Sequence, residues 1–148
     1  MSWNKDYFDM LSMFNAENVE YLLVGAYAMA VYGCPRSTGD IDLWIRPTSA
    51  NAERVWAALK KFRAPLANLT VRDFESLDLV YQMGVAPQRI DLLTALSGVE
   101  FEEAWKNRQQ VEVSGLPVSV LGLRELIANK LATGRAKDLL DVELLRNR

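Results

Sequence analysis

The run Gly39-Asp40-Ile41-Asp42-Leu43-Trp44-Ile45 constrains this chain more than any other. Ile41, Leu43 and Ile45 alternate with the other residues at a period of two, the pattern of a strand buried on one face. Asp40 and Asp42 then share the opposite face. At roughly 3.3 Å of rise per residue their Cα atoms lie about 6.6 Å apart, near enough for both carboxylates to converge on one cation or a pair. Aspartate is depleted in strands and like charges on one face repel, so a positive charge is expected beside them. The plain alternative is a pair of strand-edge aspartates, one starting the strand and one meeting solvent or a lysine.

Composition narrows the chemistry available to such a strand. The 148 residues include no histidine and one cysteine, Cys34. That excludes Ser-His-Asp and Cys-His nucleophilic sites and an ordinary zinc site within one chain. Carboxylates, lysines, arginines and hydroxyls remain, and carboxylates are hard oxygen ligands that suit magnesium or manganese. A net charge of -2 and a pI near 5.2 give no general attraction to nucleic acid, so an RNA partner needs a local basic patch. The lone cysteine rules out an intrachain disulfide and fits a reducing cytoplasm. No apolar run reaches transmembrane length and the start lacks the apolar core of a signal peptide. The expectation is one cytoplasmic domain over residues 1–148 with no membrane association.

Along the chain, Trp3, Tyr7, Met10, Leu11 and Phe14 recur at helical spacing and predict an opening amphipathic helix whose stripe is core. Tyr21 to Val24 predicts a short strand ending at Gly25, followed by a helix from about Ala26 to Tyr32. A helix starting there points free N–H groups at an anion, and Gly25 has no side chain to block a phosphate. Residues 32 to 39 are rich in turn formers and predict a loop. Arg36 in that loop either forks onto phosphate oxygens or neutralises Asp40 or Asp42. Thr48 or Ser49 caps a helix ending near Arg63, before Pro65.

Val71 to Ser76 predicts one helical turn and Leu77 to Met83 a strand ending at Gly84. In Gln88 to Leu93, Ile90 and Leu92 face one way and Arg89, Asp91 and Leu93 the other. Glu100 to Arg108 predicts a short polar helix. Val111 to Val113 and Val118 to Leu121 predict a hairpin with Ser114 to Pro117 as its loop. Two helices close the chain, Leu123 to Thr133 and Ala136 to Leu145, broken by Gly134. Leu123, Leu126, Ile127 and Leu131 form the expected buried stripe of the first, and Lys130 falls in its middle, where it either meets an anion or snorkels to solvent.

The run Leu23-Val24-Gly25-Ala26-Tyr27-Ala28, with Pro35-Arg36-Ser37-Thr38-Gly39-Asp40-Ile41-Asp42-Leu43 after it, resembles the nucleotidyltransferase superfamily. It is most similar to its small bacterial members of the abortive-infection and toxin-antitoxin type. Their pattern is an apolar strand ending in Gly-Gly or Gly-Ser, a short helix, an Arg-x-Thr approach and an acidic pair on the next strand. Here Ala26 replaces the second Gly or Ser and offers an N–H but no hydroxyl to a triphosphate. The resemblance implies a third acidic residue on a neighbouring strand that completes a metal site and assists the attacking hydroxyl. Asp91, about 50 residues after the pair, is the best match, with Asp78 as competitor. The segment from Ala128 to Asp141 looks like the Lys and Arg-x-Lys-Asp tail of the same enzymes, which brings Lys130 to the site with Lys137 and Asp138 in support. Arg135 and Asp141 could equally be helix–helix salt bridges.

The combined expectation is an α/β (α+β) fold, a small mixed sheet flanked by helices with a C-terminal helical pair. Asp40, Asp42 and Asp91 would hold Mg2+ or Mn2+ and carry catalysis, while Gly25, Ala26, Arg36, Thr38 and Lys130 would hold an NTP. The expected reaction moves a nucleoside monophosphate to a hydroxyl on RNA, protein or a small molecule, with release of pyrophosphate. Expected partners are the NTP, such an acceptor, and a second copy or an antitoxin-type protein. The alternatives are a non-catalytic nucleotide- or partner-binding module of the same fold and a carboxylate-metal nuclease.

Overall fold

The computed structural model describes residues 3–35, 39–85 and 88–148. The chain opens on helix α1 (Lys5–Ala16), where the Asn4 side chain accepts from the Asp6 N–H at 2.7 Å and so satisfies one of the helix's free donors. Strand β1 (Tyr21–Val24) runs directly into helix α2 (Gly25–Val31), and strand β2 (Ile41–Ile45) follows. Helix α3 (Ser49–Phe62) is capped by Thr48, the first of the two expected candidates, and stops at Arg63 in a left-handed conformation. A 3-10 turn (Val71–Glu75), strand β3 (Val80–Met83) and strand β4 (Ile90–Leu93) come next. Helix α4 (Phe101–Lys106), strands β5 (Gln109–Val113) and β6 (Leu116–Val120), and helices α5 (Leu123–Thr133) and α6 (Ala136–Arg146) complete the order.

The six strands form a mixed sheet in the order β3-β4-β2-β1-β6-β5. β1 and β2 pair antiparallel and β2 and β4 pair parallel, so two chain segments far apart in sequence lie side by side at the centre. The register sets Val24 opposite Asp42 and Leu22 opposite Trp44 on one face, with Leu23–Leu43 and Tyr21–Ile45 on the other. Helix α1 covers the second face: Phe14 packs on Tyr21, and the Tyr21 hydroxyl donates to Asn15 at 3.1 Å. On the first face the Trp44 ring meets Phe101 of α4 edge-on. Trp44 and Asp42 share that face, so it is packed at its Trp44 end and reaches its charged residues two positions earlier. At the far end of β1 and β2, the fully buried Asn51 of α3 bonds the Glu20 N–H and the carbonyls of Glu20 and Arg46, which pins α3 to both strands.

The mixed sheet flanked by helices, with α5 and α6 as a closing pair, agrees with the sequence expectation. Several boundaries differ. The strand expected from Leu77 begins at Val80 because Ser76 and Asp78 bond each other in a turn that leaves Leu77 exposed. The helix expected over 100–108 is shorter, Phe101–Lys106. The expected four-residue hairpin loop is tighter: Ser114 and Gly115 both take positive φ, a two-residue turn matched to strand twist. Leu116 and Pro117 thus belong to β6, and Pro117 is tolerated where β6 contacts only β5, since β1 meets β6 at Val120. Leu131, expected in the buried stripe of α5, is exposed.

Candidate active site

The carboxylates converge through strand register. Parallel pairing of β2 with β4 puts Asp42 opposite Asp91. Asp40 lies just before β2, and its Oδ1 accepts the Arg89 backbone N–H at 3.2 Å. The Arg89 guanidinium binds Asp91 through both oxygens, Nε at 2.7 Å and Nη2 at 3.1 Å, and reaches Asp40 Oδ2 at 3.2 Å. The positive charge expected beside the acidic pair is therefore present, and Arg89 supplies it. Arg36 and Thr38, expected to approach the phosphates, lie outside the described residues.

Asp42 lies beside these carboxylates, and burial rather than the guanidinium dominates its ionisation. Burial pushes its carboxyl up to about 7, and the charges of Asp91 and Asp40 push the same way against the smaller opposing pull of Arg89. Gly25 is fitted against this carboxylate. Its φ is +69°, and a Cβ built there would sit 2.4 Å from Asp42 Oδ2, so a side chain there would be strained in its backbone and would force the carboxylate to move. Below the acidic residues, the Tyr7 hydroxyl of α1 donates to the Gly39 carbonyl and lies 3.3 Å from the Arg89 carbonyl. It ties the approach to β2 to the approach to β4.

A cavity of about 720 Å3 opens on this face. Asp40, Asp42, Asp91 and Arg89 line one side of it, with Gly25 and Ala26 at the strand-to-helix turn. Lys130 and Thr133 of α5, and Arg135, Lys137 and Asp141 around the start of α6, line another part. The Lys130 ammonium lies 2.9 Å from Asp141 and 3.7 Å from Asp138. The anion that the apolar stripe of α5 requires for Lys130 is thus the adjacent helix. Asp138 is fully buried and accepts from the Thr133 hydroxyl at 2.8 Å and from Arg135 Nε at 2.7 Å. These bonds, the Arg135 bond first, hold its carboxyl well below the usual range.

Of the residues expected from the sequence, Gly25, Ala26, Asp40, Asp42, Asp91, Lys130 and Lys137 line the cavity, and Asp138 braces it from behind. Asp78 is no competitor to Asp91, because it is engaged by Ser76 in the exposed turn before β3 and lines no part of the cavity. Arg89 and Tyr7 were not anticipated in these roles. Arg89 had a signal, its place two residues before Asp91 on the same strand face; Tyr7 had none, since an aromatic on a helical stripe reads only as core. Asn129 and Ser97 also line the cavity, joined by a 3.0 Å bond from the Asn129 amide to the Ser97 carbonyl.

The donor set suits a hard dication: carboxylate oxygens, one of them on a residue whose ionisation is opposed by its neighbours. Among the described residues, however, no three acidic side chains converge as ready ligands. Arg89 occupies both oxygens of Asp91 and one of Asp40.

Residues 8–145 match the family described as "Nucleotidyltransferase of unknown function (DUF6036)". No curated protein matches the chain by sequence. Among solved structures, a putative nucleotidyltransferase from Thermotoga maritima superposes with a TM-score of 0.63 at 15% identity, covering 99% of this chain and 97% of the other. The enzyme ANT(2'')-Ia, solved with adenylyl-2''-tobramycin, gives 0.61 at 15% identity, covering 95% and 86%. The lincosamide antibiotic adenylyltransferase LnuA, lincomycin-bound, gives 0.58 at 12% identity, covering 99% and 98%. At such identities these structures establish the shared fold.

Proposed function

We propose a function on the premise that the chain belongs to the nucleotidyltransferase family DUF6036: it moves a nucleoside monophosphate from an NTP to an acceptor hydroxyl and releases pyrophosphate. The observation that carries this reading is the in-register pair Asp42 and Asp91 at a cavity wall, with a glycine turn fitted against Asp42 and Lys130 lining the same space. In the proposed reaction, the acceptor oxygen forms a bond to the α-phosphorus as the bond to the pyrophosphate oxygen breaks. The hydroxyl proton passes to the carboxylate pair, with Asp91 assisting the attack. In this reading the Gly25–Ala26 backbone and Lys130 hold the triphosphate together with Arg36 and Thr38, and Lys137 and Asp138 support Lys130. Asp40, Asp42 and Asp91 would hold Mg2+ or Mn2+, which supplies charge neutralisation at the phosphates and a more acidic hydroxyl.

The acceptor is RNA, protein or a small molecule. Neighbours whose names include an antibiotic adenylyltransferase support the small-molecule class. The proposed setting is the bacterial cytoplasm, in keeping with the lone cysteine, with a second copy or a toxin-antitoxin-type protein as partner. The test is incubation with each radiolabelled NTP, magnesium, and tRNA, cell protein or aminoglycoside in turn. Label in one acceptor pool, lost in Asp42→Asn, is the expected result. Unlabelled pools throughout, or shortened RNA without NTP consumption, would overturn the reading.

Two observations favour a second reading, a nucleotide-binding module without turnover. Ala26 brings no hydroxyl to the turn, and Arg89 holds two of the three carboxylates. Calorimetry that detects NTP binding, beside assays that detect no transfer to any acceptor, would select it.

A further inference from the structure

Arg89 stands where a divalent cation would have to bind. Its fork takes both oxygens of Asp91 and its Nη2 also reaches Asp40, while its backbone N–H takes the other Asp40 oxygen. A guanidinium and a dication compete for these oxygens, because a bidentate fork covers the side of the carboxylate that a chelated cation would use and the two cations repel. The Arg89 side chain is 28% exposed and lines the cavity, so it has an open path off the carboxylates. Within the cavity it is near the space proposed for the triphosphate, whose oxygens offer a planar fork the same geometry as a carboxylate.

We propose that Arg89 is a displaceable counter-cation: it neutralises Asp40 and Asp91 in the metal-free protein and exchanges them for nucleotide phosphate when a divalent cation enters. The proposal rests on the metal-dependent reading above. It makes metal and nucleotide binding cooperative, since the metal alone must strip Arg89 of its partners and leave it in the cavity unpaired, whereas the nucleotide gives it new ones. By linkage the coupling is reciprocal.

The test is Mn2+ binding, followed by calorimetry and by the thermal midpoint, with and without a non-hydrolysable NTP analogue. In the wild-type chain, Mn2+ alone binds weakly and the analogue tightens it by roughly tenfold or more. In Arg89→Gln, Mn2+ alone binds roughly tenfold tighter than in the wild type, raises the thermal midpoint further, and gains little from the analogue. Arg89→Lys, which keeps the charge without the fork, falls between the two and guards against a folding defect in the first variant. Equal or weaker Mn2+ binding in both variants overturns the proposal and leaves the metal-dependent reading intact. Absence of Mn2+ binding in every protein, with or without the analogue, overturns both.

Discussion

Gly25 and Asp42 are fitted to one another: the space a Cβ would need at residue 25 is held by the carboxylate oxygen of residue 42, 2.4 Å away. The backbone at Gly25 also has a φ of +69°, so two independent penalties oppose any side chain. Gly25→Ala is expected to lower stability by about 1–3 kcal/mol and to abolish transfer, because Asp42 must move to make room. Denaturant unfolding and the label-transfer assay measure the two effects. A variant with wild-type turnover would show that the contact does not position Asp42.

Asp42 gives the protein an unusual dependence on pH. Burial first, and the neighbouring Asp91 second, push its folded carboxyl up to about 7 from an ordinary value of 3.8. Between these values the folded state holds a proton that the unfolded state has released, so stability falls as pH rises through that window. Asp42→Asn removes the ionisation and its cost. The metal-free variant is therefore expected to be more stable than the wild type at pH 8, by on the order of 1–3 kcal/mol, with the difference shrinking toward pH 5. Thermal melts in chelator at both pH values check this.

Asp138 acts in the opposite sense. Its carboxyl is held low by Arg135 and Thr133, so its stabilisation is present above its ordinary value, near pH 4, and is lost as acid protonates it. Asp138→Ala removes the buried carboxylate that accepts from Arg135 and Thr133, and one of the two carboxylates beside Lys130, and is expected to cost about 2–4 kcal/mol near neutral pH. The loss should diminish on acidification in urea titrations at stepped pH. A pH-independent loss would show that volume rather than charge matters there.

Tyr7 separates packing from hydrogen bonding. Tyr7→Phe keeps the ring against Tyr27 but removes the donor to the Gly39 carbonyl. A cost of about 1 kcal/mol is expected, and turnover should drop with little change in KM for NTP, since Asp40 is displaced while the groups proposed to hold the phosphates remain. Steady-state kinetics give the split.

Lys130 makes the contrasting prediction. Lys130→Met keeps the stem in the apolar stripe of α5 and removes the ammonium. The KM for NTP is expected to rise by roughly tenfold, with kcat falling less, if binding is shared with other phosphate-facing groups. An unchanged KM would assign Lys130 to the Asp138–Asp141 contact alone.

What the sequence alone determined is local in origin. The period-two pattern of Ile41, Leu43 and Ile45 places Asp40 and Asp42 on the other face whatever the rest of the chain does, and Gly25 at the end of an apolar run marks its turn. The helices at residues 5–16, 49–62 and 123–133 were readable from stripes and caps for the same reason. Where local patterning was weak, boundaries slipped, as at Leu77, whose place depends on a Ser76–Asp78 turn. Tertiary structure decided the charge balance of the site. Whether Asp91 meets Asp42, and whether Arg89 reaches Asp40, depends on the pairing register of two strands that are distant in sequence. Alternation along a strand carries no information about which residue of another strand lies opposite. Only closure of the sheet sets that, and with it which carboxylates bind the Arg89 guanidinium and how far burial beside Asp91 opposes the ionisation of Asp42.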